Sequence, residues 1–208
     1  MRATATRPAP RGTARSRLLE AAVTVIRAKG LNATTVDDLC AAAGVTKGAF
    51  FHHFPTKEAL AVAAALHWSE TTGAMFAAAA YHDLPHAAAR VMGYLDLRAA
   101  LITGEPAKYS CLVGTMAQEV FETNPEVRAA CAESMFGHAH TLEADLAEAL
   151  APTRFATTIS AASLARHTQT VLQGAFVLSK AANDPTLVIE SIDHLRRYFE
   201  FLFTTQGD

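Results

Sequence analysis

The sequence predicts an all-α protein with a small N-terminal head and a larger C-terminal helical body, about nine helices in all. Three observations lead there. Half of the 208 residues are apolar, and alanine and leucine dominate that half, which favours helix over strand. Apolar side chains recur at three- and four-residue spacing between caps, glycines and prolines. No stretch alternates apolar and polar residues between turn signals, so no strand is predicted.

Residues 1–12 mix Arg, Pro, Thr and Gly without periodicity and read as a flexible basic arm. From Thr13 the pattern turns helical: Leu19, Ala22, Val23 and Ile26 share a face, and Lys29-Gly30 supplies a stop. Thr35 and Asp38 form a capping box, in which the hydroxyl takes an orphan N–H and the carboxylate reaches back. The short helix they open runs to about Ala42, where Gly44 can adopt the left-handed conformation that ends it. Thr46 caps a third helix. Pro55 stops it near Phe54, because a residue before proline avoids helical geometry. Thr56 caps a fourth helix, with Leu60 and Ala64 on its apolar face. Further helices are predicted over 66–80, 86–103, 110–122, 125–150, 156–181 and 186–204. The breaks fall near Pro85, Gly104-Glu105-Pro106, Asn124-Pro125, Ala151-Pro152 and Asn183-Asp184-Pro185. The expected organisation is an arm over 1–12, a head over 13–60 and a body over 61–208.

Charge is divided unevenly between these parts. Residues 1–60 hold nine lysines and arginines against four acids, and residues 61–208 hold nine against sixteen. A basic head on an acidic body points to a polyanion partner for the head. Three separated cysteines, Cys40, Cys111 and Cys131, offer no disulfide framework or C-x-x-C spacing, which fits a reducing cytoplasm. The N-terminal stretch has no apolar core of a signal peptide. His67, Ser69, Glu70 and Thr72 interrupt the longest apolar run, so no membrane partner is expected.

The segment 35–54 is two short helices joined by a tight glycine turn, a helix-turn-helix whose second helix enters the major groove in such motifs. On a helical wheel Phe50 and Phe54 lie about 40° apart and form the inward face. Gly48, Ala49 and His52 lie opposite, flanked by Lys47 and Phe51. Small residues there let the backbone come close to DNA, while a Lys and a His can meet base edges or phosphates. Thr35 and Thr46 each begin a helix whose free N–H groups suit a phosphate.

These residues resemble the TetR family of transcriptional regulators. The likeness runs from Thr34-Thr35-Val36-Asp37-Asp38-Leu39 through Gly44-Val45-Thr46-Lys47-Gly48 and Phe50-Phe51-His52-His53-Phe54 to Lys57-Glu58-Ala59-Leu60, covering about residues 15–64. The resemblance implies a double-stranded DNA operator as partner. Thr35 would bind phosphate, and Thr46, Lys47, Gly48 and Ala49 would sit at the groove. His52 and His53 would touch the backbone, and Lys57 would anchor a further phosphate. Lys47 and Lys57 also read as solvated charges, and His53 equally as an interhelix packing residue. Cys40 stands where the family usually has Ala and reads as a small core residue. The family usually carries Tyr where this chain has Phe51, which lacks a hydroxyl to donate to phosphate.

The remainder resembles one subgroup of the family at Ser110-Cys111-Leu112-Val113-Gly114, Ala117-Gln118-Glu119, Leu172-Gln173-Gly174-Ala175 and His194-Leu195-Arg196-Arg197-Tyr198. The likeness implies a cavity for a small-molecule effector and a homodimer made by the last two helices, about 156–181 and 186–204. Ile189, Ile192, Leu195, Phe199 and Leu202 give one apolar stripe, and Leu164, Val171, Ala175 and Leu178 another. Phe199, Phe201, Leu202 and Phe203 spread apolar surface around the final helix, as a second buried face would require. Candidate cavity residues are Trp68, Met75, Met92, Cys111, Met116, Phe136 and His140, with His67, Phe121 and Met135 behind them, although Met and Phe at helical spacing also suit plain core. Cys111 begins a helix, where the dipole favours thiolate, and reads either as structural or as a sensor of oxidants or electrophiles.

Nine histidines raise the question of a metal enzyme. No H-E-x-x-H pair, phosphate loop or nucleophile elbow is present. His138 and His140 lie about 200° apart on a helix and cannot share an ion on one face. His140 and Glu143 alone make no site. The expectation is a non-enzymatic, ligand-responsive repressor without cofactor or metal. The rival is a nucleoid or activator protein that uses the same head without a ligand; one short palindromic footprint relieved by a small molecule fits the repressor, and broad coverage fits an architectural protein. Restoring the missing hydroxyl by Phe51→Tyr is expected to tighten operator binding in a gel shift; unchanged or weaker binding would count against this placement of Phe51.

Overall fold

The computed structural model describes residues 12–204, and the expected basic arm, save Gly12, lies outside them. The helices are α1 (Ala14–Lys29), α2 (Val36–Ala43), α3 (Lys47–His53), α4 (Lys57–Ala77), α5 (Ala87–Ala100), α6 (Pro106–Tyr109), α7 (Leu112–Val120), α8 (Pro125–His140), α9 (Glu143–Leu150), α10 (Ala161–Ala182) and α11 (Thr186–Phe203), with a 3₁₀ turn at Ala80–Asp83. No strand occurs among the described residues, and none of these helices is long and apolar enough to cross a membrane.

Threonine hydroxyls start all four helices of the head. Thr13, Thr35, Thr46 and Thr56 accept from the backbone N–H of Ser16, Asp38, Ala49 and Ala59 at 3.0–3.2 Å. The capping box at Thr35 is complete, since Asp38 accepts in return from the Thr35 amide at 2.8 Å. Gly44 ends α2 in the left-handed region, at φ 63° and ψ 43°.

Two apolar cores are built from these helices. The first joins the inner faces of α1 to α4, including Leu18, Ile26, Leu39, Phe50 and Leu60, to Leu112, Met116, Val120, Val127 and Cys131 of α7 and α8. The second gathers Tyr94, Leu95, Leu146, Leu172, Phe176, Ile192 and Phe199 from α5 and α9 to α11. Cys111 packs against both. The head therefore has no separate core of its own. Its packing continues into α7.

Four boundaries differ from the sequence expectation. The segments begun at Thr56 and at residue 66 are one helix, α4, so the head–body boundary drawn after residue 60 falls inside a rod about 31 Å long. The expected helix over 125–150 is two. At its break Thr141 and Leu142 bond the carbonyls of His138 and Ala139, three residues back, at 3.3 and 3.0 Å. That tighter turn redirects α9, where Arg90 holds Asp145 at 2.7 Å and Glu148 at 2.8 Å. The helix expected from 156 starts at Ala161, capped by Ser160, and α6 adds a single turn after Pro106. Leu178, placed on a stripe with Leu164, Val171 and Ala175, turns outward and is 59% exposed.

The turn after α1 fixes how head meets body. Gly30 has φ 85°, and a Cβ there would come within 1.8 Å of Glu119 Oε1 on α7. Glu119 Oε2 accepts from the Asn32 amide at 2.9 Å. Both a positive φ and a close approach therefore demand glycine. Gly30→Ala is expected to cost about 2 kcal/mol or more, read as a lower urea midpoint; an unchanged midpoint would contradict this packing.

Candidate functional site

Among the described residues, α3 has a moored side and a bare side. Phe50 and Phe54 are buried beneath it, with ring centroids 6.1 Å apart. On the other side Gly48 is exposed, and a Cβ placed there would meet only Thr46 Oγ1, at 3.8 Å. Thr46 uses its oxygen as a cap, which leaves its hydroxyl proton free to donate. Ala49 is half-buried and His52 exposed. Phe51 is 54% exposed and rests edge-on against Phe50. His53 is half-buried, with its ring 4.9 Å from that of His52. Lys47 reaches back to Asp37 of α2 at 2.8 Å, both side chains largely exposed. That hydrogen bond raises the lysine pKa, so the cation persists.

Two residues given phosphate roles are engaged inside the fold. The Thr35 hydroxyl donates to Asp38 Oδ2 at 2.6 Å while its oxygen accepts from the Asp38 amide. Lys29 bonds the same carboxylate at 2.6 Å, and the lysine, with the Thr35 hydroxyl and amide, holds the Asp38 carboxyl well below its ordinary range. Lys57 Nζ donates to the carbonyls of Leu31 and Thr34, at 2.9 and 3.0 Å. It ties α4 to the α1–α2 connection and retains one N–H of three for another acceptor. Arg17 was not singled out from the sequence. Its guanidinium bonds the Ala43 and Gly44 carbonyls at 3.2 and 3.3 Å and braces the turn of the motif.

A cavity of about 240 Å³ opens among α1, α4, α5, α6 and α10. Trp68, Met75, Phe76, Leu101, Ile102, Tyr109, Leu172 and Phe176 provide apolar walls, with Thr72, Arg27, Arg98 and Lys108 as polar members. Of the seven candidates, Trp68 and Met75 stand in this lining. Met116 is instead fully buried in the first core. Met92 packs on the second core near Arg196. Cys111 caps α7, its sulfur accepting from the Gly114 amide at 3.4 Å. Phe136 is 60% exposed, and His140 lies on the surface beside Glu143. Of the residues behind them, Met135 packs on the first core and His67 is half-buried. Phe121 is exposed. The side of α8 that packs inward carries Val127, Cys131 and Ser134, which turns Phe136 and His140 away. Sequence reasoning missed Arg27, Arg98, Tyr109 and Phe176. One signal was available: Arg98 follows Tyr94 by four residues, one helical turn on.

Polar contacts organise the cavity wall. Arg98 donates to the Tyr94 hydroxyl at 2.8 Å and to His138 Nε2 at 2.9 Å. Burial, with Arg98 adding repulsion, pushes the His138 pKa down to about 3, so the ring is neutral and its Nε2 accepts. Tyr109 donates to Ser179 at 2.6 Å, since the Ser179 proton goes to the Asp184 carbonyl. Among the described residues no group of three or more His, Cys, Asp or Glu side chains is placed to hold a metal.

Residues 18–64 match the family model described as bacterial regulatory proteins, tetR family, and residues 87–195 match the tetracyclin repressor-like C-terminal domain. HTH-type transcriptional repressor KstR2 of Rhodococcus jostii (strain RHA1) is 46% identical over 46 residues, which are 22% of this chain and 22% of that protein. The match thus spans less than a quarter of that relative's length. A TetR family regulator from Agrobacterium tumefaciens has a similar structure, with a TM-score of 0.77 at 18% identity over 89% of this chain and 96% of that one. The TetR family regulator CifR, a cysteine-substituted form complexed with 26-base-pair operator DNA, gives a TM-score of 0.74 at 21% identity over 91% and 98%. At these identities the structures show the shared fold. The family models carry the membership, the second alone spanning more than half of the sequence. The chain belongs to the TetR family of bacterial regulatory proteins.

Proposed function

We propose that the protein is a transcriptional repressor that binds a palindromic operator as a homodimer and leaves it when a small molecule with an apolar body fills the cavity. The observation that carries the DNA reading is the uncovered Gly48 side of α3, moored from behind by Phe50 and Phe54. Thr46, Lys47, Gly48 and Ala49 meet the groove. Phe51, His52 and His53 lie along the sugar-phosphate edge; Lys57 adds a phosphate contact through its remaining N–H, and Thr35 does so by exchanging its hydroxyl bond to Asp38 for one to phosphate. Lys47 exchanges Asp37 for phosphate at little cost, because an exposed ion pair is worth roughly 0–1 kcal/mol. The relative named KstR2 is a repressor, and CifR was solved on operator DNA; both support the reading. The protein acts on DNA in the cytoplasm and has no catalytic role in it.

Dimerisation through α10 and α11 is supported by what their outer sides carry. Val177, Leu178, Tyr198 and Phe201 are exposed large apolar or aromatic side chains, and Gly174 has no atom within 4 Å of its Cβ position. Small and apolar residues on adjoining helices suit a self-complementary interface. A twofold dimer places its heads on half-sites about 34–36 Å apart or at a multiple of that spacing. An effector that prefers a different head spacing releases DNA through its differential affinity, for which coupling of about 1–3 kcal/mol suffices.

Two substitutions test these parts. Gly48→Ala has room to fold and removes a helical glycine, so stability is expected to rise by about 0.5–1 kcal/mol. Operator affinity is expected to fall by about ten-fold or more, since a good base-edge contact is worth about 1–3 kcal/mol. Thermal melting and fluorescence anisotropy read the two effects, and full affinity in this variant would sink the groove assignment. Leu178→Glu is expected to give a folded monomer by light scattering; a persistent dimer would move the interface elsewhere.

A further inference from the structure

Arg27 is the feature of the cavity that folding leaves unexplained. It sits in the last turn of α1 with its guanidinium over the Trp68 ring, 5.0 Å from the centroid. Its Nε is buried without a hydrogen-bond partner. Among the described residues no carboxylate lies within ion-pair distance of Arg27, Arg98 or Lys108. Arg98 bonds only neutral groups, the Tyr94 hydroxyl and His138. The lining contains three cations and no acid. Glu105 lines a second depression together with Arg27 and Lys180, but makes no ion pair with Arg27.

Arg27 is half-buried, and taking a cation even partly out of water carries a cost that a counter-charge and hydrogen bonds would repay. The stacked Trp68 face repays only part of it. Desolvation accordingly lowers the Arg27 pKa. A neutral ligand would leave this charge unpaired, and a cationic one would add repulsion. An anion repays the cost.

We propose that the cavity is a receptor for organic carboxylates, with an aromatic or aliphatic body against Trp68, Phe76 and Phe176 and a carboxylate paired with Arg27, Arg98 being the second cation available to it. This deepens, and rests on, the reading of the cavity as an effector site. It also gives the effector a route to DNA, because Arg27 follows Ile26 of the head core and precedes the Gly30 turn held by Glu119. A carboxylate that draws Arg27 off Trp68 pulls on α1 itself.

Trp68 is the only tryptophan of the chain, so its emission reports occupancy without a label. The full chain, free of DNA, is titrated with phenylacetate, phenylbutyrate, naphthoate and decanoate, each beside its primary amide and the matching amine. Saturable changes are expected for carboxylates, at least about ten-fold tighter than for their amides, as a charge-assisted hydrogen bond of about 1.5–3 kcal/mol requires. Amines are expected to bind weakest. Arg27→Met is expected to level carboxylate and amide, whereas Arg27→Lys keeps part of the preference. Equal binding of carboxylate and amide, no saturable carboxylate, or a preference that survives Arg27→Met would overturn the proposal. The ratio in the unsubstituted protein decides the matter even where Arg27→Met does not fold. Release of labelled operator is measured separately. Carboxylates that bind without releasing DNA would keep the anion site and remove the effector reading; release by a neutral compound alone would do the reverse.

Discussion

Helix α1 is held from two sides, and the arrangement of the DNA-binding motif depends on that grip. Near its start, Arg17 bonds the carbonyls of the α2–α3 turn. Along its length, Leu18, Ala22 and Ile26 are buried in a core that also contains Met116 and Val120 of α7. At its end, Gly30 lies against Glu119 of α7, and Arg27 lines the cavity. Close-packed interiors shift between discrete arrangements and do not stretch. The contacts to α7, to the cavity wall and to the turn that sets α3 thus all meet on α1.

The same economy governs polar groups in the head. Hydroxyls and cations that could face a phosphate are first asked to finish the fold. Thr35 completes a capping box, and Lys57 satisfies two carbonyls of an irregular connection that would otherwise lack partners. What stays available on α3 is one threonine proton, one loosely paired lysine, an exposed histidine and a glycine without cover. On the proposed reading the first two polar groups position the helix on any duplex. Sequence preference would then come from the base-edge contacts that the small Gly48 lets the helix reach.

Local signals made the head legible from sequence. A threonine three residues before a free amide, a glycine able to take positive φ and a proline after Phe54 each act within one turn of chain, so caps and stops were readable there. The body is set by contacts distant in sequence. Nothing near Thr141 announces that α8 ends; the break follows from Leu142 and Leu146 finding the second core and from Arg90 pairing with Asp145 and Glu148. The cavity was half visible for the same reason. Trp68 and Met75 lie on one long helix, whereas Arg27, Arg98, Tyr109 and Phe176 come together from four others. Phe136 and His140 resembled lining residues by type, but the burial of Val127 and Cys131 rotates them outward.

Native-state hydrogen exchange tests the shared core most directly, comparing amides of α1 from Leu18 to Ile26 with those of α7 from Met116 to Val120. If the two helices are one packed unit, their slowest amides open together with the same free energy under rising denaturant. Exchange in α1 through a separate, less costly opening, while α7 and α8 remain closed, would contradict the account.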